Sequence, residues 1–348
     1  MIQRIYPRAL GGAAGLSVLA LGVLLYVGIG RLGLTLAPSL LLVLCTVPLY
    51  LAASIAFGAA RRRGRRIGDY PLSLALPSAT YFGAFFVVPT VFLAVFAVAS
   101  TTGYGVIHYG FSLDAFRTAL GSVYREAFFR TLRMAAVGTV LTALVGYPLA
   151  YWIARYAPAR RKGLLVALIL LPFLTSFLAR TLAMLLILSD SFVAWHVLKT
   201  LHLIGDPPHL ADTTTAVQIG LVYNYLPLFI LPVFAALERM DWSLVNAAQD
   251  LGASGFTAFR EITLRLTAPG LLAGVLLVFI PMMGEYVIPF ILGGGRVDMA
   301  GNLITRSFLE ANNYPVGSAA ALLMMGALAV FLAVYIVLSV RSEEQYGA

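Results

Sequence analysis

The chain has 348 residues, 60% of them hydrophobic and only 11% charged, against roughly 45–50% and 25% in an average soluble domain. The apolar residues fall into runs of about twenty, long enough to cross some 30 Å of hydrocarbon as helices, which excludes an ordinary soluble fold; ten-residue alternating segments of a spanning β-barrel are absent. The formal net charge of +9 is mostly arginine placed at the ends of apolar runs, which reads as membrane topology and not as a nucleic-acid surface.

Eight spans follow in chain order, roughly Ala9–Gly30, Leu34–Ala60, Leu76–Ser100, Thr131–Arg155, Leu164–Leu188, Thr215–Leu237, Gly270–Leu292 and Val316–Val340. The first has a basic start but no small-x-small cleavage site, so an uncleaved span fits it better than a signal peptide. Pro148, Pro227, Pro232 and Pro281 fall at mid-depth, where neighbouring helices satisfy the freed backbone groups. Gly11-x-x-x-Gly15 and Gly270-x-x-x-Gly274 permit close helix contact. The lone Cys45 reads as a small buried hydrophobe. Arg4, Arg8, the run Arg61, Arg62, Arg63, Arg65 and Arg66, then Arg155, Arg160, Arg161, Lys162 and Arg341 all fall on one side of this scheme. That side is cytoplasmic by the positive-inside rule, with both termini on it and anionic lipid headgroups as partners of the arginine run. Longer loops, Thr101–Arg130, Ser189–Thr214 and Gly293–Pro315, lie opposite.

The cytoplasmic loop Glu238–Pro269 differs from the rest, being neither strongly basic nor low in complexity. Asp241 or Ser243 can cap a short helix ending near Leu251, with Gly252 as its left-handed terminator. Ser254 can cap a second helix, whose Phe256, Phe259, Ile262 and Leu266 recur at three- and four-residue spacing. Apolar residues on such a helix pair pack on the protein's own spans, lie in the lipid interface, or dock a partner.

Asn246-Ala247-Ala248-x-x-x-Gly252, followed after nine residues by Ile262-x-Leu264, resembles the EAA loop of ABC-importer permeases, whose pattern is Glu-Ala-Ala-x-x-x-Gly-x9-Ile-x-Leu-Pro. Asn246 stands where that pattern has glutamate, and Arg265 where it has proline. Leu171-Pro172-Phe173, Val222-Tyr223-Asn224-Tyr225-Leu226-Pro227, Gly284-Glu285-Tyr286-Val287-Ile288-Pro289 and Gly301-Asn302-Leu303-Ile304 extend the likeness, which covers about residues 77–340 and is greatest to the spermidine/putrescine permeases. The resemblance implies an all-α polytopic inner-membrane protein with a type I core of six helices. Residues 1–70 would then be a two-helix extension with a basic linker, and 71–348 the permease domain, its core near 127–340. It also implies alternating access driven by two separate ATP-binding cassette subunits docked on Asn246, Ala247, Ala248, Gly252, Ile262 and Leu264. A second, similar permease subunit and a periplasmic or lipid-anchored substrate-binding protein complete the expected assembly.

No cofactor or metal is expected in this chain. Its two lysines, Lys162 and Lys199, fit no Gly-x-x-x-x-Gly-Lys phosphate loop, so ATP and Mg belong on the ATPase. His108, His196, His202 and His209 form no metal-binding spacing, and no catalytic constellation is visible. Two ionisable residues within spans, Arg180 and Glu285, mark a candidate cargo path. Arg180 lies sixteen residues past Leu164 and Glu285 fifteen past Gly270, so both rise about 22–24 Å from the cytoplasmic side. Either the two pair and fix helix packing, or Glu285 meets a cationic amine with Arg180 as its resting counter-ion. Tyr223, Asn224, Tyr225 and Tyr286 could add polar and cation–π contacts. The likeness also leaves iron(III), thiamine, sulfate or aminophosphonate as cargo. A secondary transporter or a membrane scaffold would lack a reason for the docking loop.

Overall fold

A computed structural model describes residues 81, 83–102, 106–202, 206 and 209–346. The expected spans Ala9–Gly30 and Leu34–Ala60 lie outside the described residues, with Cys45, the Gly11 pair and the arginine run from Arg61 to Arg66. The chain divides into two compact units, Met1–Val95 and Phe96–Ala348. The described part of the first contains a π-helical turn, Gly83–Val87, running into helix α1, Val88–Ala97.

In the second unit a short antiparallel hairpin comes first, β1 (Ser100–Thr102) on β2 (Val106–His108), with Ser100 opposite His108. Helices follow: α2 (Asp114–Ala119), α3 (Ser122–Tyr156), α4 (Ala159–Phe173), α5 (Phe177–Leu188), α6 (Val193–Thr200) and α7 (Thr214–Glu238). Next come α8 (Ser243–Asp250), α9 (Gly255–Leu266, π-wound over Phe259–Thr263), α10 (Ala268–Met283), α11 (Val287–Leu292), α12 (Ala300–Leu309) and α13 (Tyr314–Tyr346). Among the described residues, four helical stretches are long and apolar enough to cross a membrane, and a fifth arises if α9 and α10, bent by 67°, count together.

Two expected spans are broken. The span Leu164–Leu188 stops at Phe173 and restarts at Phe177, after Pro172 and the turn Leu174–Ser176. The span Gly270–Leu292 stops at Met283 and restarts at Val287, two residues past Pro281. Hydropathy runs through both breaks because it records apolar content and not the continuity of the backbone hydrogen-bond ladder. The loops expected on the opposite side hold helices, namely α2, α6, α12 and the first turns of α3. Exposed Lys199 pairs with Asp206 at 2.7 Å, and His209 Nδ1 lies 2.5 Å from Asp190 Oδ2. The Lys199 ammonium holds the Asp206 carboxyl below the usual carboxylate range.

Helix α7 is the hub, packing on α3, α4, α5, α10 and α11. Lipid offers no hydrophobic drive for helix pairing, so close backbone approach and dispersion must supply it. Glycine makes that approach possible. Phe229 of α7 is fully buried between Gly146 of α3 and Gly274 of α10; a Cβ on either would lie 2.7 Å and 3.0 Å from its ring. One turn earlier, a Cβ on Gly270 would stand 2.4 Å from the Ala236 Cβ and 2.8 Å from the Pro232 carbonyl, so Gly270-x-x-x-Gly274 is the α7–α10 contact stripe. Buried Thr131, Thr139 and Thr142 satisfy their hydroxyls on carbonyls four residues back, at 2.8, 2.7 and 2.7 Å. Gly270→Leu is expected to force α10 away from α7, at about 1–3 kcal/mol or more of overpacking strain. The melting temperature of the detergent-purified protein should fall with it; an unchanged value would contradict this packing.

Candidate functional site

Two places carry the candidate residues. At the first, α8 and α9 form a knob beyond the end of α7. The Ser243 backbone N–H donates to Asp241 Oδ1 at 2.9 Å, starting α8 and holding the Asp241 carboxyl below its ordinary range. Gly252, at φ 93°, reverses the chain in the left-handed region expected of a helix terminator. Ser254 Oγ then accepts from the Thr257 N–H at 3.1 Å and caps α9. Met240, Val245 and Ala258 make a small buried core under the two helices, with Trp242, Ala248 and Ile262 packed on it.

That core leaves part of the apolar content outside. Leu251 is 89% exposed and Phe256 72%; Asn246, Ala247 and Gly252 are exposed beside them. Ile262 and Leu264 are half-buried, and Ile262 lines a groove of about 330 Å³ with Leu244, Glu261, Arg265 and Leu266. The expected single apolar face on α9 is therefore divided: Phe256 and Leu266 point out, whereas Phe259 and Ile262 turn toward the protein. The π-wound turn at Phe259–Thr263 shifts the helical register between them. Arg265, where proline was expected, pairs with Glu261 one turn back.

The knob is gripped by α3. Arg155 Nη2 donates to Asn246 Oδ1 at 2.8 Å, and its guanidinium lies 4.8 Å from the Trp242 ring centre. Tyr151 meets Trp242 and Phe259 edge-on at 5.7 Å each, and Tyr147 meets Phe259 at 5.8 Å and shares a 2.9 Å hydrogen bond with Thr267. Beside it Lys162 ties the start of α4 to Glu238 at 2.9 Å. The grip was not anticipated from the sequence; its signal was Tyr147, Tyr151 and Arg155 at four-residue spacing on one helix face.

The second place is the break between α10 and α11. Glu285 is 6% exposed. Its Oε1 accepts the backbone N–H groups of Tyr286, Val287 and Ile288 at 3.0, 2.8 and 3.2 Å, and its Oε2 accepts the Tyr225 hydroxyl at 2.5 Å. Asn302 of α12 donates to the Tyr286 carbonyl at 2.9 Å and accepts from the Met299 N–H at 3.2 Å. Asn302 appeared in the sequence likeness but was not singled out as a site residue.

The Arg180–Glu285 ion pair, one of the two readings of the sequence, is absent among the described residues. Equal height along two helices fixes depth but not azimuth, and Glu285 takes nearer donors. Arg180, 8% exposed, instead stacks its guanidinium 5.3 Å from the Phe173 ring and 5.9 Å from Phe177, and its Nε has no hydrogen-bond partner. Asn224 is buried, donating to the Gly220 carbonyl at 2.9 Å and leaving its Oδ1 unpaired. Tyr223 and Tyr286 are exposed. Of the expected path residues, Glu285 is joined to the Tyr225 hydroxyl and to the Tyr286 backbone N–H, whereas Arg180, Tyr223 and Asn224 stand apart from it.

A bundle of apolar helices with ionisable groups buried at mid-span, and a folded apolar knob at one end, defines a multi-pass membrane transport subunit. Residues 146–343 match the profile of the binding-protein-dependent transport system inner membrane component family. The chain belongs to that family. It is 36% identical over 245 residues to the spermidine/putrescine transport system permease protein PotB of Haemophilus influenzae, covering 70% of this chain and 85% of that protein. It is 35% identical over 225 residues to PotB of Escherichia coli K12, covering 65% and 82%. A bacterial ABC transporter that imports alginate shares the fold, with a TM-score of 0.56 at 19% identity over 78% of this chain and 94% of that one. A bacterial alginate ABC transporter in complex with an alginate pentasaccharide-bound periplasmic protein gives a TM-score of 0.59 at 17% identity, covering 79% of this chain and 93% of that one.

Proposed function

We propose that this chain is a permease subunit of an ATP-driven importer of polyamines, spermidine or putrescine. The observation that carries the transport class is the exposed knob: α8 and α9 have their own core and still present Leu251 and Phe256 outward, as a surface that inserts into another subunit would. The cargo rests on the named relatives, at 35–36% identity over most of their length. ATP and Mg are held by two separate cassette subunits that dock on the knob. Their closure pushes the knob, the spans open outward, and hydrolysis resets them. A second permease subunit completes the path, and a periplasmic or lipid-anchored binding protein delivers cargo to the opposite face. Arg155, Arg160, Arg161, Lys162 and Arg239 crowd the knob-bearing end, which supports placing that end and both termini in the cytoplasm.

Cells with and without this chain, given labelled spermidine and putrescine, test the reading. ATP-dependent uptake that disappears with the chain is the expected result. Unchanged uptake in cells lacking other carriers would remove polyamine, and iron(III), thiamine, sulfate or aminophosphonate would be assayed next. For an anionic cargo, the unpaired Arg180 would become the ligand.

A further inference from the structure

A buried carboxylate in a span of a cation importer invites the role of cargo ligand. The geometry points to a different one: we infer that Glu285 is a positioning residue, which anchors α11 and holds the break in its span, and that the cargo ammonium does not bind it. The inference rests on the polyamine reading for its kinetic test but not for its structural one.

The break creates the need. Where α10 stops and α11 begins, the first amides of α11 have no carbonyl four residues back. In lipid no water can take them, and each orphan costs several kcal/mol. Glu285 Oε1 takes three of these N–H groups, so one side chain replaces the missing ladder. The Tyr225 hydroxyl occupies Oε2 and ties the break to the hub helix α7. Three donors fill Oε1, more than its two lone-pair positions, and the Tyr225 hydroxyl takes one side of Oε2. At Oε1 an ammonium would have to displace bonds that are charge-assisted, hence among the strongest available. Access is closed from the other side as well. A Cβ on Gly301 of α12 would lie 2.8 Å from the Glu285 carbonyl, and Asn302 holds the Tyr286 carbonyl, so α12 rests directly on the break. The negative charge is balanced by amides and a phenol, which explains why Arg180 is not its partner.

Glu285→Gln separates charge from geometry. Glutamine keeps a carbonyl oxygen for the α11 amides and can donate its amide to the Tyr225 oxygen; Glu285→Ala keeps neither, and Tyr225→Phe removes one bond. In the full transporter, Glu285→Gln is expected to hold the KM for spermidine within about threefold of wild type, whereas Glu285→Ala loses maximal rate. Loss of a direct ammonium–carboxylate contact would instead raise the KM of Glu285→Gln about tenfold or more at unchanged maximal rate. That result would overturn the inference. Melting of the detergent-purified transporter gives a readout independent of cargo. Glu285→Ala should melt lowest, Tyr225→Phe between, and Glu285→Gln near wild type. If wild type carries no polyamine, the cargo reading falls while this melting order still supports the anchor; equal melting of all four proteins would sink the anchor.

Discussion

Leu251→Asp is expected to strip the ATPase from the purified transporter while leaving the permease folded. Leu251 is 89% exposed, so the permease loses no packing of its own when the side chain is replaced. The small core of Met240, Val245 and Ala258 stays intact, as do the Asp241–Ser243 hydrogen bond and the Ser254 cap. Only a docked partner would notice the change, because it would have to bury a carboxylate where it had buried a leucine. Central interface residues of this kind carry about 2–4 kcal/mol, which corresponds to roughly 30- to 700-fold weaker binding. Titrating the permease in detergent with its ATPase would measure the loss directly, and Phe256→Asp should act in the same direction. Val245→Asp is the contrasting change: it places the charge inside the loop's own core and should lower the melting temperature as well. Full ATPase binding by both Leu251→Asp and Phe256→Asp would mean that the knob is not the docking surface.

What the sequence made legible is local. Gly252 as a left-handed terminator, Ser254 as a cap and Gly270-x-x-x-Gly274 as a contact stripe each depend on a few neighbouring residues, and each is found where expected. The mostly helical membrane class follows from apolar run length, which carries no sign of the short hairpin at Ser100–His108. The breaks at Leu174–Ser176 and Gly284–Tyr286 were hidden because the residues on either side are equally apolar. Helix α12 was read as loop because it is short and amphipathic and lies outside any twenty-residue run. In the candidate path, depth could be counted along each helix, but which faces meet is decided by helix rotation, which only tertiary packing sets. That is why Glu285 was matched to Arg180 when its partners are Tyr225 and its own following amides.

Arg155→Ala is expected to uncouple the transporter: ATP hydrolysis continues and cargo uptake falls steeply. A movement imposed on the knob reaches the spans through its chain ends on α7 and α10 and through the side chains of α3 that grip it. Arg155 bonds Asn246 on α8 at 2.8 Å and lies over Trp242, while Tyr151 and Tyr147 hold Trp242, Phe259 and Thr267 one and two turns further along. Helix α3 has 35 residues, about 52 Å at 1.5 Å per residue, and at its far end it holds α12. There Thr131 Oγ1 accepts the Ala300 N–H at 2.7 Å, Arg130 donates to the Asp298 carbonyl at 3.3 Å, and Tyr124 shares a 2.6 Å hydrogen bond with Ser307. One continuous helix thus joins the docking knob to the element that rests on the Glu285 break. Removing the guanidinium leaves the knob's own core and its exposed Leu251 in place, so ATPase binding should persist. Asn246→Ala removes the same hydrogen bond from the other side and should give a similar but smaller defect, because Arg155 keeps its stacking on Trp242. Measuring hydrolysis and uptake together in liposomes separates the outcomes. A fall in uptake per ATP hydrolysed supports the lever, a proportional fall in both points to lost docking, and wild-type uptake and hydrolysis in Arg155→Ala would show that the push travels by another route.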